Sequence, residues 1–342
     1  MLEKILRRAF LAACFVMASL AADGGEQTIT LYTSRGNAGD KAVIKDFEAA
    51  TGIKVNVVEG KPDELIEKIA KAEGGETADL FMTVDGGILD AAKEQGIFQK
   101  TDSAAVAEAV PANLRDRDNA WVGVTTRARV VVYAKDRVKP EELSTYMALT
   151  DPKWKGRIVV RSSGALYNQS LLASLIAAYG EEKAAEWASG LVANFARVPK
   201  GNDRDQAKAV AAKEADLAIM NTYYLGIMLK SKEADEVAAA EAVGVFFPDQ
   251  DGAGTHINIC GIGLAKDAKN PEAALKFVEY LLSATAQEKL SAENFEFPVN
   301  PKAAKAPLLA GWGDFKTQQV DFSALRTNKA KAKELLEKAD WK

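Results

Sequence analysis

Histidine and cysteine are almost missing from this chain. Its 342 residues include one His and two Cys. A zinc site built from several His or Cys side chains is thereby nearly excluded within one chain. So are Cys-ligated iron–sulfur clusters and a disulfide framework. Positive charge is not in excess either. The formal net charge is −4, which leaves no basic footprint for nucleic acid. No apolar run after residue 22 is a candidate membrane span. What is present is ordinary for a soluble globular protein: 48% hydrophobic and 27% charged residues, with a length that suits two domains or lobes. Eight tyrosines are also present.

Residues 1–22 read as an export signal. Lys4, Arg7 and Arg8 give a positive start, and Leu11 to Ala22 is an apolar run too short to cross a bilayer comfortably. Ser19-Leu20-Ala21 offers a small-residue cleavage site before the polar break at Asp23-Gly24-Gly25. Arg7-Arg8-Ala9-Phe10-Leu11 partly matches the twin-arginine pattern, with Leu6 where Ser or Thr is usual. The general secretory route is the competing expectation. Cys14 lies inside the apolar run, so a lipid anchor is the minor reading. Removing residues 1–22 takes away three Lys/Arg and one Glu, and leaves Cys260 as the one cysteine.

The remainder alternates strands and helices. Thr28–Ser34, Ile53–Val58 and Ala78–Val84 are expected strands. Asp40–Thr51, Pro62–Ala72 and Gly87–Gly96 are expected helices between and after them. That order implies a mostly parallel sheet with helices on both faces. The second block adds strands at Ala128–Ala134, Arg157–Arg161, Ala215–Met220, Val243–Phe247 and Ile257–Ala265. Helices are expected at Gln169–Ala178, Glu182–Asn194, from Asn270-Pro271 through Leu282, and over Ser323–Ala339. No long linker separates independent domains. This fits two α/β lobes joined by crossing strands, with a ligand cleft between them.

The segments YTSRGNAGD, VDGGILDAAKEQGIFQ, EELSTYMALTDPKWKGR, RSSGALYNQS, NFARVPKGNDRDQ, NTYYLG, VGVFFPDQDGAGTHIN and FEFPVNP resemble the ferric-iron-binding proteins of bacterial and cyanobacterial ABC importers. The likeness runs in order over nearly all of the chain after residue 22. It implies a type II periplasmic binding-protein fold whose lobes close by a hinge. On that template residues 28–125 with 255–300 form the first lobe, and 126–254 with 301–342 the second. It also implies a monomeric, non-enzymatic periplasmic protein that hands iron to a membrane permease and its ATPase.

The resemblance assigns Tyr167, Tyr223 and Tyr224 as iron ligands. The residues alone leave a plain packing role open for an adjacent Tyr pair. Phenolate oxygen is hard and anionic and suits Fe³⁺. Three phenolates would neutralise the ion, so closure buries no net charge. Many relatives carry His-Tyr where this chain has Gly36-Asn37, neither a strong Fe³⁺ ligand. An exogenous anion, carbonate by expectation, or water would then complete the site. Arg35 and Arg127 are the candidate anion grips, with Ser34 and Asn37 as further donors.

Asn202 and Asp203 are read as capping a helix, and Asp79 and Asp85 as structural or hinge residues. His256 is read as structural and Cys260 as a small core residue. Two alternatives compete with the iron-binding reading: the same fold holding an oxyanion, polyamine or thiamine, and a periplasmic hydrolase or redox enzyme. The second lacks a nucleophile elbow, a phosphate loop or paired His–Cys machinery. The export routes are separable by experiment. With Arg7-Arg8 exchanged for Lys-Lys, twin-arginine export is lost and general secretory export is unchanged, as read by cell fractionation.

Overall fold

The computed structural model describes residues 27–71, 77–319 and 321–342; the expected signal at 1–22 lies outside them. β1 (Thr28–Thr33), α1 (Ala38–Thr51), β2 (Lys54–Glu59), α2 (Pro62–Lys71), β3 (Leu80–Thr83) and α3 (Gly86–Glu94) alternate as the pattern requires. α4 (Ala104–Ala109) and the long β4 (Val122–Ala134) follow. Next come β5 (Ile158–Val159), α5 (Leu166–Tyr179), α6 (Glu181–Ala193), α7 (Asp203–Ala211), β6 (Leu217–Asn221), α8 (Tyr223–Leu229), α9 (Ala234–Ala242) and β7 (Val243–Phe246). β8 (Ile257–Leu264), α10 (Pro271–Leu281), α11 (Ala284–Asn294), β9 (Phe297–Pro298), α12 (Pro307–Gly311), α13 (Ser323–Thr327) and α14 (Lys329–Lys338) complete the chain.

Local chemistry accounts for the first helix. Gly52 takes the left-handed conformation (φ 74°) that ends α1, its amide donating to Glu48 O at 2.9 Å. Val43 and Phe47 face inward, and the Phe47 ring meets Phe277 edge-on at 5.0 Å and Tyr280 at 5.5 Å. A continuous apolar core runs from these residues to Trp154 and Trp187 in the other half.

The strands are joined in the order β2-β1-β3-β8-β4-β6-β5, with β7 and β9 also on β4. β1–β2, β1–β3 and β5–β6 are parallel, as helical crossovers dictate. The pairings of β8 with β3 and β4, and of β6, β7 and β9 with β4, are antiparallel. The sheet system is thus mixed rather than mostly parallel.

β4 holds the two halves together. Val122–Ala128 pairs with β8, whereas Arg129–Tyr133 pairs with β6 and Val131–Ala134 with β7. The change of partner falls at Ala128/Arg129, where the Arg129 amide donates to His256 O at 2.9 Å. The chain crosses back through Thr255 and His256 into β8. A third connection comes from the tail. Thr255 bridges to the 316–318 segment through two backbone bonds of 2.9 Å, and α13 packs on both α3 and α5. The expected single tail helix is two, α13 and α14, separated at Asn328. α14 packs on α5 and α6.

α8 is pressed close to the segment that follows α11. A Cβ on Gly226 would lie 2.0 Å from Phe295 Cγ. Gly226→Ala is expected to force α8 and Phe295 apart and to lower stability by about 1–3 kcal/mol, as read from urea denaturation.

Candidate metal centre

Tyr167 stands in the first turn of α5, not in the preceding loop as the sequence implied. The sequence gives no sign of this earlier start, because Ala165, at the cap, offers no capping side chain. Tyr223 and Tyr224 open α8 directly after β6. The Tyr223 hydroxyl donates to Tyr167 Oη at 3.1 Å, and the Tyr223 and Tyr224 rings lie 4.2 Å apart at 35°. All three side chains are half-buried. The structure therefore brings the three expected tyrosines together from two helix N-termini.

Burial, followed by the proximity of Tyr167 and Tyr224, holds the Tyr223 phenol well above its ordinary range. Burial first, and then Tyr167 and Asp203, push Tyr224 up to about 12, with Arg161 partly opposing. At neutral pH both are protonated in the metal-free protein. A cation that binds them must displace protons.

Three guanidinium groups surround Tyr167. The Arg127, Arg129 and Arg161 carbons lie 5.7, 5.8 and 5.6 Å from its ring centroid. Asp203, fully buried, neutralises part of this charge. It binds Arg129, accepts from Arg161 Nη1 at 2.7 Å and takes the Asn221 amide at 3.2 Å. Asn202 caps α7 through its side chain, accepting from the Arg204 amide at 2.9 Å. Asp203 thus does more than begin that helix. Arg129 and Arg161 carry no signal in strand or helix periodicity that marks them as neighbours of the tyrosines. Their positions, one at the β4 switch and one just after β5, are set by topology.

Of the expected anion grips, Arg127 and Arg35 differ sharply. Arg127 is buried, donates through Nη2 to Val84 O and has an unpartnered Nη1. Arg35 is committed elsewhere. Its Nε and Nη2 bind Asp40 at 2.7 and 2.8 Å, and its Nη1 and Nη2 bind Glu296 at 3.0 and 2.7 Å. Thr125 Oγ1 donates to the same Glu296 at 2.9 Å. Two bidentate carboxylates saturate the guanidinium within the first lobe, so the expectation that Arg35 grips a cleft anion is corrected. Ser34 Oγ shares a 2.9 Å hydrogen bond with Thr83 Oγ1. Asn37 is exposed at the start of α1, its amide donating to Asp40 Oδ2 at 3.1 Å.

His256 is buried, and burial together with Arg127 and Arg129 lowers it to about 3. It is neutral at any physiological pH. Cys260 is fully buried, and burial raises its thiol to about 12, which leaves no reactive thiolate. Asp79 accepts the Thr30 and Asn270 amides at 2.7 and 2.8 Å. Asp85 caps α3 and accepts from Ser170 Oγ at 2.7 Å and Asn258 Nδ2 at 2.6 Å. Among the described residues no group of three or more His, Cys, Asp or Glu side chains converges to hold a metal.

Two α/β halves joined by a crossing strand, with polar aromatic side chains gathered where they meet, define a two-lobed solute-binding protein. The model for bacterial extracellular solute-binding proteins matches residues 75–322. The chain belongs to that family, within its group of iron uptake and ferric-iron-binding proteins. Iron uptake protein A1 of Synechocystis is 48% identical over 93% of this chain and 89% of its own. A Trichodesmium protein solved with iron and citrate is 46% identical, with a TM-score of 0.88 over 92% of this chain and all of the other. The ferric binding protein of Campylobacter jejuni is 39% identical, with a TM-score of 0.85 over the same shares.

The Arg35 assignment has a direct test. Arg35→Met strands two buried carboxylates and is expected to destabilise the protein by about 3–5 kcal/mol in urea denaturation. Wild-type stability would show that Asp40 and Glu296 do not depend on it.

Proposed function

We propose that the protein is the periplasmic substrate-binding component of an ABC importer, that it captures Fe³⁺ through Tyr167, Tyr223 and Tyr224, and that it delivers the ion to a membrane permease coupled to its ATPase. The observation that carries this reading is the 3.1 Å approach of the Tyr223 and Tyr167 hydroxyls beside the tilted Tyr224 ring. The names of the iron-binding relatives support the same substrate. The protein acts as a monomer, without turnover of its own.

Iron is the cargo, and its chemistry dictates the proton balance. Each phenol that becomes a ligand loses its proton, so up to three protons leave per ion bound. Because the free phenols of Tyr223 and Tyr224 sit above their ordinary range, acid favours release. Arg127, with its unpartnered Nη1 beside Tyr167, is the donor best placed for an accompanying anion. Carbonate suits a planar guanidinium, and water can share the remaining positions. Ser34 and Asn37 lie at the other side of the proposed cleft.

Thiamine-binding relatives match at 25% identity, but phenol oxygens brought to 3.1 Å of each other suit a hard cation better than a cationic heterocycle. Loading with Fe³⁺ and bicarbonate is expected to give a tyrosinate-to-iron charge-transfer colour at one iron per chain. Tyr223→Phe is expected to lose colour and iron retention while its circular dichroism stays unchanged. Retention in wild type is expected to fall as pH is lowered. A colourless protein without bound iron refutes the proposal.

A further inference from the structure

The ladder between β4 and β8 is interrupted at the crossing. Its last regular pair is Ala128 with Ile257, and Arg129 and His256 face each other next. Residues of a hydrogen-bonded antiparallel pair exchange two backbone bonds. Here one is present, the 2.9 Å bond from the Arg129 amide to His256 O. The other is replaced. The His256 amide donates to Tyr146 Oη at 3.2 Å, and that hydroxyl donates to Arg129 O. A phenol is thus inserted into the sheet at the pair where β4 leaves β8, two residues before β4 takes up β7 at Val131.

A hydroxyl donates and accepts at once, so it satisfies both backbone groups that the missing bond would orphan. Tyr146 is fully buried, and the same two bonds satisfy its phenol. Its own backbone is held from the second lobe. Trp187 Nε1, on the buried face of α6, donates to Tyr146 O at 2.8 Å, and the Leu149 amide donates to that carbonyl at 3.1 Å. The side chain is therefore anchored in one lobe and bonded to two backbone segments that pass to the other, β4 and the lead-in to β8. Arg129 and His256, the residues it links, line a small polar space beside Tyr167 together with Arg127 and Asn221.

We infer, resting on the iron-binding reading above, that Tyr146 is the positioning residue of the hinge between the lobes. Its hydroxyl exchanges one fixed backbone bond for two that can bend about a side chain. The crossing strands can then splay at Arg129 and His256 while the pairs on either side keep their register. The same link sets where Arg129 presents its guanidinium to Tyr167. In Tyr146→Phe the ring still occupies the gap and keeps the strands from closing up. The pair is left with one bond, and the angle between the lobes is held less tightly.

The test compares the mature wild-type protein with Tyr146→Phe. Lys61→Cys and Lys200→Cys, at exposed residues of the first and second lobes, carry spin labels, and the native Cys260 is fully buried. Without iron, Tyr146→Phe is expected to broaden the distribution of distances between the labels. Loaded with Fe³⁺, it is expected to keep the charge-transfer band and to release iron to excess EDTA about three- to tenfold faster. A residue that only supports the fold would lower the melting temperature and move neither reading, so a wild-type distribution with wild-type release overturns the assignment. A wild-type protein that binds no iron, or binds it without colour, refutes the tyrosine reading instead, and the label distances of the metal-free protein still decide the role of Tyr146. Should Tyr146→Phe not fold, hydrogen exchange in metal-free wild type decides. The His256 amide, bonded to a hydroxyl, is expected to show about tenfold less protection than the Arg129 amide, bonded to backbone; equal protection overturns the assignment.

Discussion

The buried carboxylate of Asp203 is the interaction on which the second lobe's part of the site depends. It joins Arg129 on β4, Arg161 after β5 and the backbone of Asn221 at the end of β6. Those segments lead directly to Tyr167 and to the Tyr223–Tyr224 pair. A buried ion pair seldom adds much net stability, but removing one partner is severe because the other charge is left without water. Asp203 thus fixes the two arginines against the face of Tyr167 and sets the spacing of the phenols at the same time.

The first lobe is organised by the mirror arrangement: one arginine between two carboxylates. Arg35, Asp40 and Glu296 link β1, α1 and the segment before β9, with Thr125 of β4 as a fourth member. The two networks sit on opposite sides of the β4 partner change. Each lobe thereby has its own charged anchor, and separate polar contacts join them, among them Arg127 to Val84, Ser170 to Asp85 and Arg326 to Asp90. That distribution suits a protein whose lobes move as units.

Much of this was legible beforehand, for identifiable reasons. The parallel β1–β3 block follows from alternating periods and from Gly52 as a helix stop. The tyrosines were found through resemblance rather than periodicity, since an adjacent Tyr pair has no spacing signal of its own. Arg35 misled because its partner Glu296 is 261 residues away, and no local pattern reveals a contact that only the folded topology creates. β4 began six residues earlier than expected because Thr125, Thr126 and Arg127 look polar in sequence but are buried between strands. The tail helix divided at Asn328 because its side chain bonds Ala173 O at 3.2 Å on α5.

The β4 crossing has a mechanical consequence. Of the connections between the lobes, β4 is continuous, and its change of partner lies at the residue before Arg129, whose guanidinium is held beside Tyr167. The partner change of β4 and the tyrosine cluster therefore lie close together. In a jaw of this kind a few degrees of twist at the fulcrum leave the second lobe's tyrosines nearly still while the far rims sweep through several ångströms. The displacement is then largest at the outer rims and smallest at the phenols.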